Sequence, residues 1–231
     1  PDMQELKVNL PIKQSTSGSP AAVIPWNSSV ATDHLPDVLY KTGSGTMGKL
    51  KRRKIESWFK EAQSGETQAQ YNLGVAYYKG AGVSCNHKEA FKWFEKAAEK
   101  GSAKGQGFLA LMYENGLGVK QDLELSLTWY QKAAEQDDSA AQFNLARMYY
   151  QGKGTEKASD QAAKWFEKAA EKNNDTAQNM LGVLFEKGEG VPQDYDKAIS
   201  WYRKAALNGN EAGLFNLGDL YDRGEGVRKD S

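Results

Sequence analysis

The sequence predicts an all-α solenoid built from helix-loop-helix units of about 36 residues, carried behind an extended N-terminal tail. Three observations predict it. "WFEKAA" occurs verbatim at Trp93 to Ala98 and at Trp165 to Ala170, while "WYQKAA" at Trp129 and "WYRKAA" at Trp201 fall between and after them, always 36 residues apart. The same offset relates Leu73, Leu109, Leu145, Leu181 and Leu217, and also Gly80, Gly116, Gly152, Gly188 and Gly224. No insertion or deletion breaks the period from about residue 67 onward.

Residues 1–48 share none of this period. "QSTSGSPAAVIPWNSSVATDHLP" is rich in Ser, Pro and Gly, which reads as extended or disordered chain. Leu6, Val8, Leu10 and Ile12 alternate as in a strand, and with Trp26 they form a segment able to dock on the repeats. The simpler reading is a tail with scattered apolar residues. Residues 49–66 then read as a capping helix, the second half of an incomplete unit, because Ala62 and Gly65 align with Ala98 and Gly101 and Trp58 with Phe94. The repeats proper occupy 67–231, divided as 67–102, 103–138, 139–174, 175–210 and a partial 211–231.

Apolar spacing places two helices in each unit. Ala69, Leu73, Ala76 and Tyr77 stand at i, i+4, i+7 and i+8, and Ala141, Leu145, Met148 and Tyr149 keep that stripe. Ala90, Trp93, Phe94, Ala97 and Ala98 form the stripe of the second helix, where large rings beside paired alanines imply close approach. Gly80 and its counterparts end the first helix, since glycine adopts the left-handed conformation without steric cost. Asn86, Asp122 and Asp194 cap the second helix. Positions 101, 137, 173 and 209 hold Gly, Asp, Asn and Gly, types that tolerate positive φ, and Ser102, Asp138, Asn174 and Asn210 follow as caps. The third unit departs from the pattern: Thr155 replaces Val and Ala158 replaces the capping residue, so Ser159 or Asp160 is expected to cap a less regular loop. One such unit cannot bury its stripe alone, so stacking is obligatory.

Composition narrows the function. The chain has 231 residues, 39% of them hydrophobic, and its thirty basic and thirty acidic side chains cancel, leaving no overall field toward nucleic acid or an anionic membrane. No apolar run is long enough to span a bilayer. With Cys85 the only cysteine, neither an internal disulfide nor a multi-thiolate zinc site can form. A start at Pro1 reads as a processed or cut chain, and the compartment stays open between cytoplasmic and, after loss of a leader, periplasmic or secreted.

"AQYNLGVAYYKGAGV" and "LGVLFEKGEGVPQDYDKAISWYRKAALNGN" resemble the Sel1-like repeat, a relative of the tetratricopeptide repeat with a longer glycine-bearing loop. The resemblance implies a right-handed superhelix that serves as an adaptor for protein partners, without catalytic residues or cofactors of its own. It also implies that first helices line the concave side. Positions off the core stripe there are Tyr71, Val75 and Tyr78; Leu111 and Glu114; Phe143, Arg147 and Tyr150; Val183 and Glu186; Phe215, Asp219 and Asp222. Aromatics with a few carboxylates suit a peptide or helix partner carrying apolar anchors and some positive charge. The competing reading is that Tyr71, Tyr78, Phe143 and Tyr150 pack neighbouring helices. A structural alternative has the incomplete last unit stack on another copy, burying Leu217, Leu220 and Tyr221.

Other motifs read more plainly. The four repeated tryptophans are expected in the core rather than in a ligand cage. Cys85 and His87 share a loop but lack further ligands for a metal site. Asn27 and Asn174 each begin a glycosylation sequon of the kind chance supplies. "KLKRRK", Lys49 to Lys54, reads as the solvated start of the capping helix rather than a targeting signal. Gly43 to Lys49 fits G-x-x-x-x-G-K, the basis of a nucleotide-binding enzyme alternative, but Leu50 has no hydroxyl for Mg²⁺ and no β-α-β unit surrounds it. A hinge between tail and solenoid is the reading adopted.

Overall fold

A computed structural model describes residues 46–225, with side chains from Arg53 onward. The described residues form ten helices and no strand. Their order is α1 (Thr46–Gln63), α2 (Thr67–Lys79), α3 (His87–Glu99), α4 (Ala103–Asn115), α5 (Leu123–Glu135), α6 (Ser139–Gln151), α7 (Ser159–Glu171), α8 (Asp175–Lys187), α9 (Tyr195–Leu207) and α10 (Glu211–Asp222). Each helix packs on the next in the chain, so α2, α4, α6, α8 and α10 are the first helices of successive units and α3, α5, α7 and α9 the second. α1 starts at Thr46, three residues before the expected Lys49, so the latter part of the Gly43–Lys49 run is helical. The expected tail segments around Leu6 to Ile12 and Trp26 lie outside the described residues.

The caps follow the sequence. Asn86, Asp122 and Asp194 accept backbone N–H groups at the starts of α3, α5 and α9, and Ser102, Asp138, Asn174 and Asn210 do so for α4, α6, α8 and α10. Asp137 and Asn173 are the non-glycine residues of positive φ among the described residues, at φ 70 and 61, where Gly101 and Gly209 stand in neighbouring units. The third unit corrects one expectation. Neither Ser159 nor Asp160 takes over the cap: Ala158 keeps the cap position without a side-chain bond, and α7 begins at Ser159 in the common register. Its loop is held by backbone instead, the Ala158 N–H donating to the Tyr149 carbonyl as Asn86, Asp122 and Asp194 donate to Tyr77, Tyr113 and Phe185.

Helix spacing is set by small residues at fixed places. A Cβ on Gly74 would stand 2.5 Å from the Phe94 ring, and one on Gly182 would stand 2.5 Å from the Tyr202 ring. Ala110 and Ala146, at the same register, share clusters with Tyr130 and Phe166. The ring of each second helix therefore seats on a small residue twenty positions earlier in its own unit. Consecutive units meet through a second glycine of the loop. Gly118, Gly154 and Gly190 press onto the backbone carbonyls of His87, Leu123 and Ser159, the first residues of the preceding second helices.

A buried glutamine ladder joins units on the other side. Gln70, Gln106, Gln142 and Gln178 donate from Nε2 at 3.0 to 3.2 Å to the carbonyls of Ala62, Ala98, Ala134 and Ala170, near the C-termini of α1, α3, α5 and α7. Each of these carbonyls also accepts the backbone N–H three residues on, from Gly65, Gly101, Asp137 and Asn173, so the glutamine fills its second lone pair and ties the next unit to the helix end. Of the four repeated tryptophans expected in the core, only Trp93 is buried and the other three are half-buried at its edge. Trp93 is buried, and Trp129 and Trp165 each pack against two core clusters. Lys96, Lys132, Lys168 and Lys204 cover the four ring faces at 3.9 to 4.4 Å from the centroids, which adds about 0.5–1 kcal/mol each at a surface site.

Two glycine substitutions separate backbone from packing. Gly209→Ala, at φ 88 with open space around its Cβ, is expected to cost about 1–2 kcal/mol for the left-handed conformation alone. Gly154→Ala, at φ 69 against the Leu123 carbonyl, adds a clash of about 1–3 kcal/mol. Urea denaturation of both variants checks the difference; equal losses would remove the loop glycine from the unit-to-unit contact.

Candidate partner-binding face

The first helices contact one another through side chains and form one face of the stack. Tyr71 on α2 meets Phe108 on α4 at 5.8 Å, Arg147 on α6 reaches Glu114 on α4 at 2.7 Å, and Asn216 on α10 donates to Asn179 on α8 at 3.0 Å. Along this face the chemistry alternates every second unit, a 72-residue period inside the 36-residue one. Tyr78 and Tyr150 stand where Glu114 and Glu186 stand in the other units, and the seated rings alternate in step, Phe94 and Phe166 against Tyr130 and Tyr202. The two alternations compensate each other. A buried tyrosine hydroxyl needs a partner, and Tyr130 donates to Glu114 Oε2 at 3.4 Å while Tyr202 donates to Glu186 Oε2 at 2.6 Å. Where the ring is Phe, no acceptor is needed and Tyr78 packs edge-on to Phe94 at 6.5 Å.

The carboxylates on this face are already engaged. Glu114 holds Arg147 at 2.7 Å and Lys153 at 3.7 Å, and Arg147 is bonded further to Asn144. Burial works against the Arg147 charge, but its hydrogen bond and attraction to Glu114 outweigh that and raise its pKa. Glu186 holds Arg223, which also pairs with Asp219 at 2.9 Å and Glu225 at 2.6 Å. Burial, followed by the adjacent glutamate, pushes the phenols of Tyr130 and Tyr202 well above their ordinary value. Tyr150 is pushed up to about 12 by burial and by its bond to Glu189, and Lys157 lies 5.0 Å over its ring. The phenols described here stay neutral at physiological pH.

The thirteen positions expected to face a partner divide. Tyr71, Val75, Leu111, Glu114 and Val183 are buried, and this corrects their reading as surface side chains. The reason is geometric: a first helix is covered both by its own second helix and by neighbouring first helices, so its buried arc is wider than one stripe. Tyr71 packs on Phe94 and Phe108, Val75 joins the cluster around Phe94, and Val183 joins Tyr202 and Leu220. Tyr78, Phe143, Arg147, Tyr150, Glu186 and Asp219 are half-buried, while Phe215 and Asp222 are exposed. For Tyr71 the packing reading holds, and Tyr78, Phe143 and Tyr150 both pack and present an edge. Phe108 belongs with them: it is half-buried and stacked on Phe94 at 4.8 Å. Its register position holds Asn72 and Asn144 in the adjoining units, which hid it from a search for a recurring residue type.

Cys85 and His87 do meet, Sγ lying 3.6 Å from His87 Nε2 and 3.4 Å from the Tyr78 carbonyl, while the imidazole packs on Tyr78 at 5.5 Å. Among the described residues no group of three or more His, Cys, Asp or Glu side chains could hold a metal ion, and no helix is long and apolar enough to cross a membrane.

Replacing one member of the enclosed ion pair leaves a charge without its partner. Glu114→Gln is expected to lower stability by about 3 kcal/mol, and the double replacement Glu114→Gln with Arg147→Met to recover most of it. A double-mutant cycle in urea measures the coupling; additive losses would show that the pair is not a unit.

Segments 67–102, 103–138, 139–174, 175–210 and 212–231 match the family model of the Sel1 repeat. A search of curated proteins returns no match. Among solved structures, the chain is similar to a protective antigen present in uropathogenic Escherichia coli strains displaying an SLR fold. That match has 40% identity and a TM-score of 0.73, covering 75% of this chain and 37% of the antigen. A Sel1 repeat protein from Oxalobacter formigenes is 35% identical with a TM-score of 0.70, over 78% of this chain and 72% of that one. The chain thus spans little more than a third of the antigen's length. With the repeat model matched over most of its residues and the same fold in these neighbours, the chain belongs to the Sel1 repeat family.

Proposed function

We propose that this chain is a non-catalytic scaffold whose first-helix face holds a segment of a protein partner. Sel1 repeat proteins are commonly protein-interaction scaffolds without catalysis. One observation carries the finer reading: Tyr78, Phe108, Phe143 and Tyr150 are half-buried on neighbouring first helices, each anchored by the core yet presenting an edge. Rigid aromatic surface of this kind offers contact area at low entropic cost. The enclosed carboxylates sharpen the partner's chemistry. Glu114 and Glu186 are neutralised by Arg147, Lys153 and Arg223, so basic residues gain little from them. The partner's main anchors are therefore apolar side chains, and its basic residues serve at most at the rim.

Peptides selected from a random library against the chain test this without a known partner. Those bound on this face are expected to bind the Tyr78→Ala/Tyr150→Ala variant about tenfold or more weakly, the size of one hot spot of about 1.4 kcal/mol, with helical circular dichroism retained. Unchanged affinity at normal helicity would take the face out of recognition.

A further inference from the structure

On the first-helix face a side chain is missing between two rings. Tyr71 on α2, Gly107 on α4 and Phe143 on α6 hold the same register in successive units. α4 lies between the other two helices, meeting α2 through Phe108 and Tyr71 and α6 through Glu114 and Arg147. Gly107 is half-buried within its helix, and a Cβ added there would meet nothing within 4 Å. That sets it apart from Gly74, Gly105, Gly182 and Gly213, whose missing side chains admit a ring or a helix of the stack. A glycine inside a helix lowers its stability relative to alanine, and no packing among the described residues accounts for this one. It leaves a notch beside Phe108 with an aromatic position on either side.

We propose that in the free chain residues 20–26 lie on this face with the Trp26 indole over Gly107, so that a partner must displace the chain's own N-terminal segment. This rests on the reading of the first-helix face as the recognition surface and names what holds it when no partner does. Chemistry favours this occupant. Residues 14–32 contain no charged side chain and include Ala21, Ala22, Val23, Ile24 and Trp26. They suit a face whose Glu114 and Glu186 are already neutralised by Arg147, Lys153 and Arg223 and whose half-buried edges are aromatic. Of the six tryptophans, Trp26 alone precedes α1 and the repeats, so no position of the stack claims it. Reach permits the contact. The nineteen residues 27–45 span up to about 60 Å at roughly 3.3 Å each. The 18 residues of α1 and two helix spacings add up to at most about 50 Å of surface path from Thr46 to α4. A tethered segment meets its site at about millimolar effective concentration, so one aromatic anchor is enough to hold it.

Photocrosslinking reads the contact directly. The whole chain with p-benzoylphenylalanine in place of Trp26 is irradiated and its crosslinks are mapped by mass spectrometry. The expected product is an intramolecular crosslink to α4 and α6 around Gly107, Phe108 and Phe143, lost when Gly107→Leu fills the notch. Gly107→Leu is expected to raise the Tm or leave it unchanged, since leucine favours a helix interior and its Cβ meets no neighbour there, so unfolding does not explain the loss. Without the photoprobe, Trp26→Ala is expected to tighten the binding of peptides selected on this face about tenfold, as for a site open only a tenth of the time. Crosslinks that are absent, that fall elsewhere or on a second copy, or that persist unchanged with Gly107→Leu would overturn the proposal. Peptide affinities unaltered by Trp26→Ala would do the same. The crosslink map locates Trp26 whether or not any selected peptide depends on Tyr78 and Tyr150, so the two readings fail separately.

Discussion

The architecture rests on one close approach, an aromatic ring of the second helix lying where a first-helix side chain would otherwise be. At Gly74 and Gly182 there is no room for even a methyl group in the observed packing, and at Ala110 and Ala146 there is room for no more than one. This distance fixes the unit. Because the helices lie so close, first helices of neighbouring units also touch, and the loop between helices must turn back sharply enough for Gly118, Gly154 and Gly190 to reach the preceding second helix. Period, loop length and inter-unit contact recur together with this seat, and every helix from α2 to α9 has 13 residues.

The same approach shapes the first-helix face. A ring buried so completely must be satisfied if it carries a hydroxyl, and the chain meets that need by exchanging two residues together, Tyr with Phe on one side and Glu with Tyr on the other. The 72-residue alternation therefore arises in the core and is visible at the surface. Units with Glu114 and Glu186 become polar, closed and ion-paired, whereas those with Tyr78 and Tyr150 present aromatic edges. A partner lying along the face as proposed would meet the two kinds in turn.

Most of this fold was legible in the sequence because the features that encode it are local and repeated. The left-handed positions at Asp137 and Asn173 could be read off their alignment with Gly101 and Gly209, since few residue types tolerate positive φ. The caps were equally plain, apart from Ala158, whose helix keeps register through a backbone bond that no residue type announces. Burial of Tyr71, Val75, Leu111, Glu114 and Val183 was not legible. A helical stripe reports one contact surface, and these helices have two. The glutamine ladder was in view in the four full units, but a polar residue beside an apolar stripe reads as solvated until the second lone pairs of the preceding helix-end carbonyls are counted against it.

The last rung shows where the period changes its chemistry. Every covered first helix in the stack has a polar ladder residue and a small seat beneath a ring, and α10 keeps the seat while giving up the polar residue. Glutamine at that place serves a neighbour's carbonyl. α10 is held mainly from its covered side: Gly213, Asn216 and Leu220 are buried, against eight residues of α8, and Arg203 of α9 donates to the Tyr221 hydroxyl at 2.8 Å.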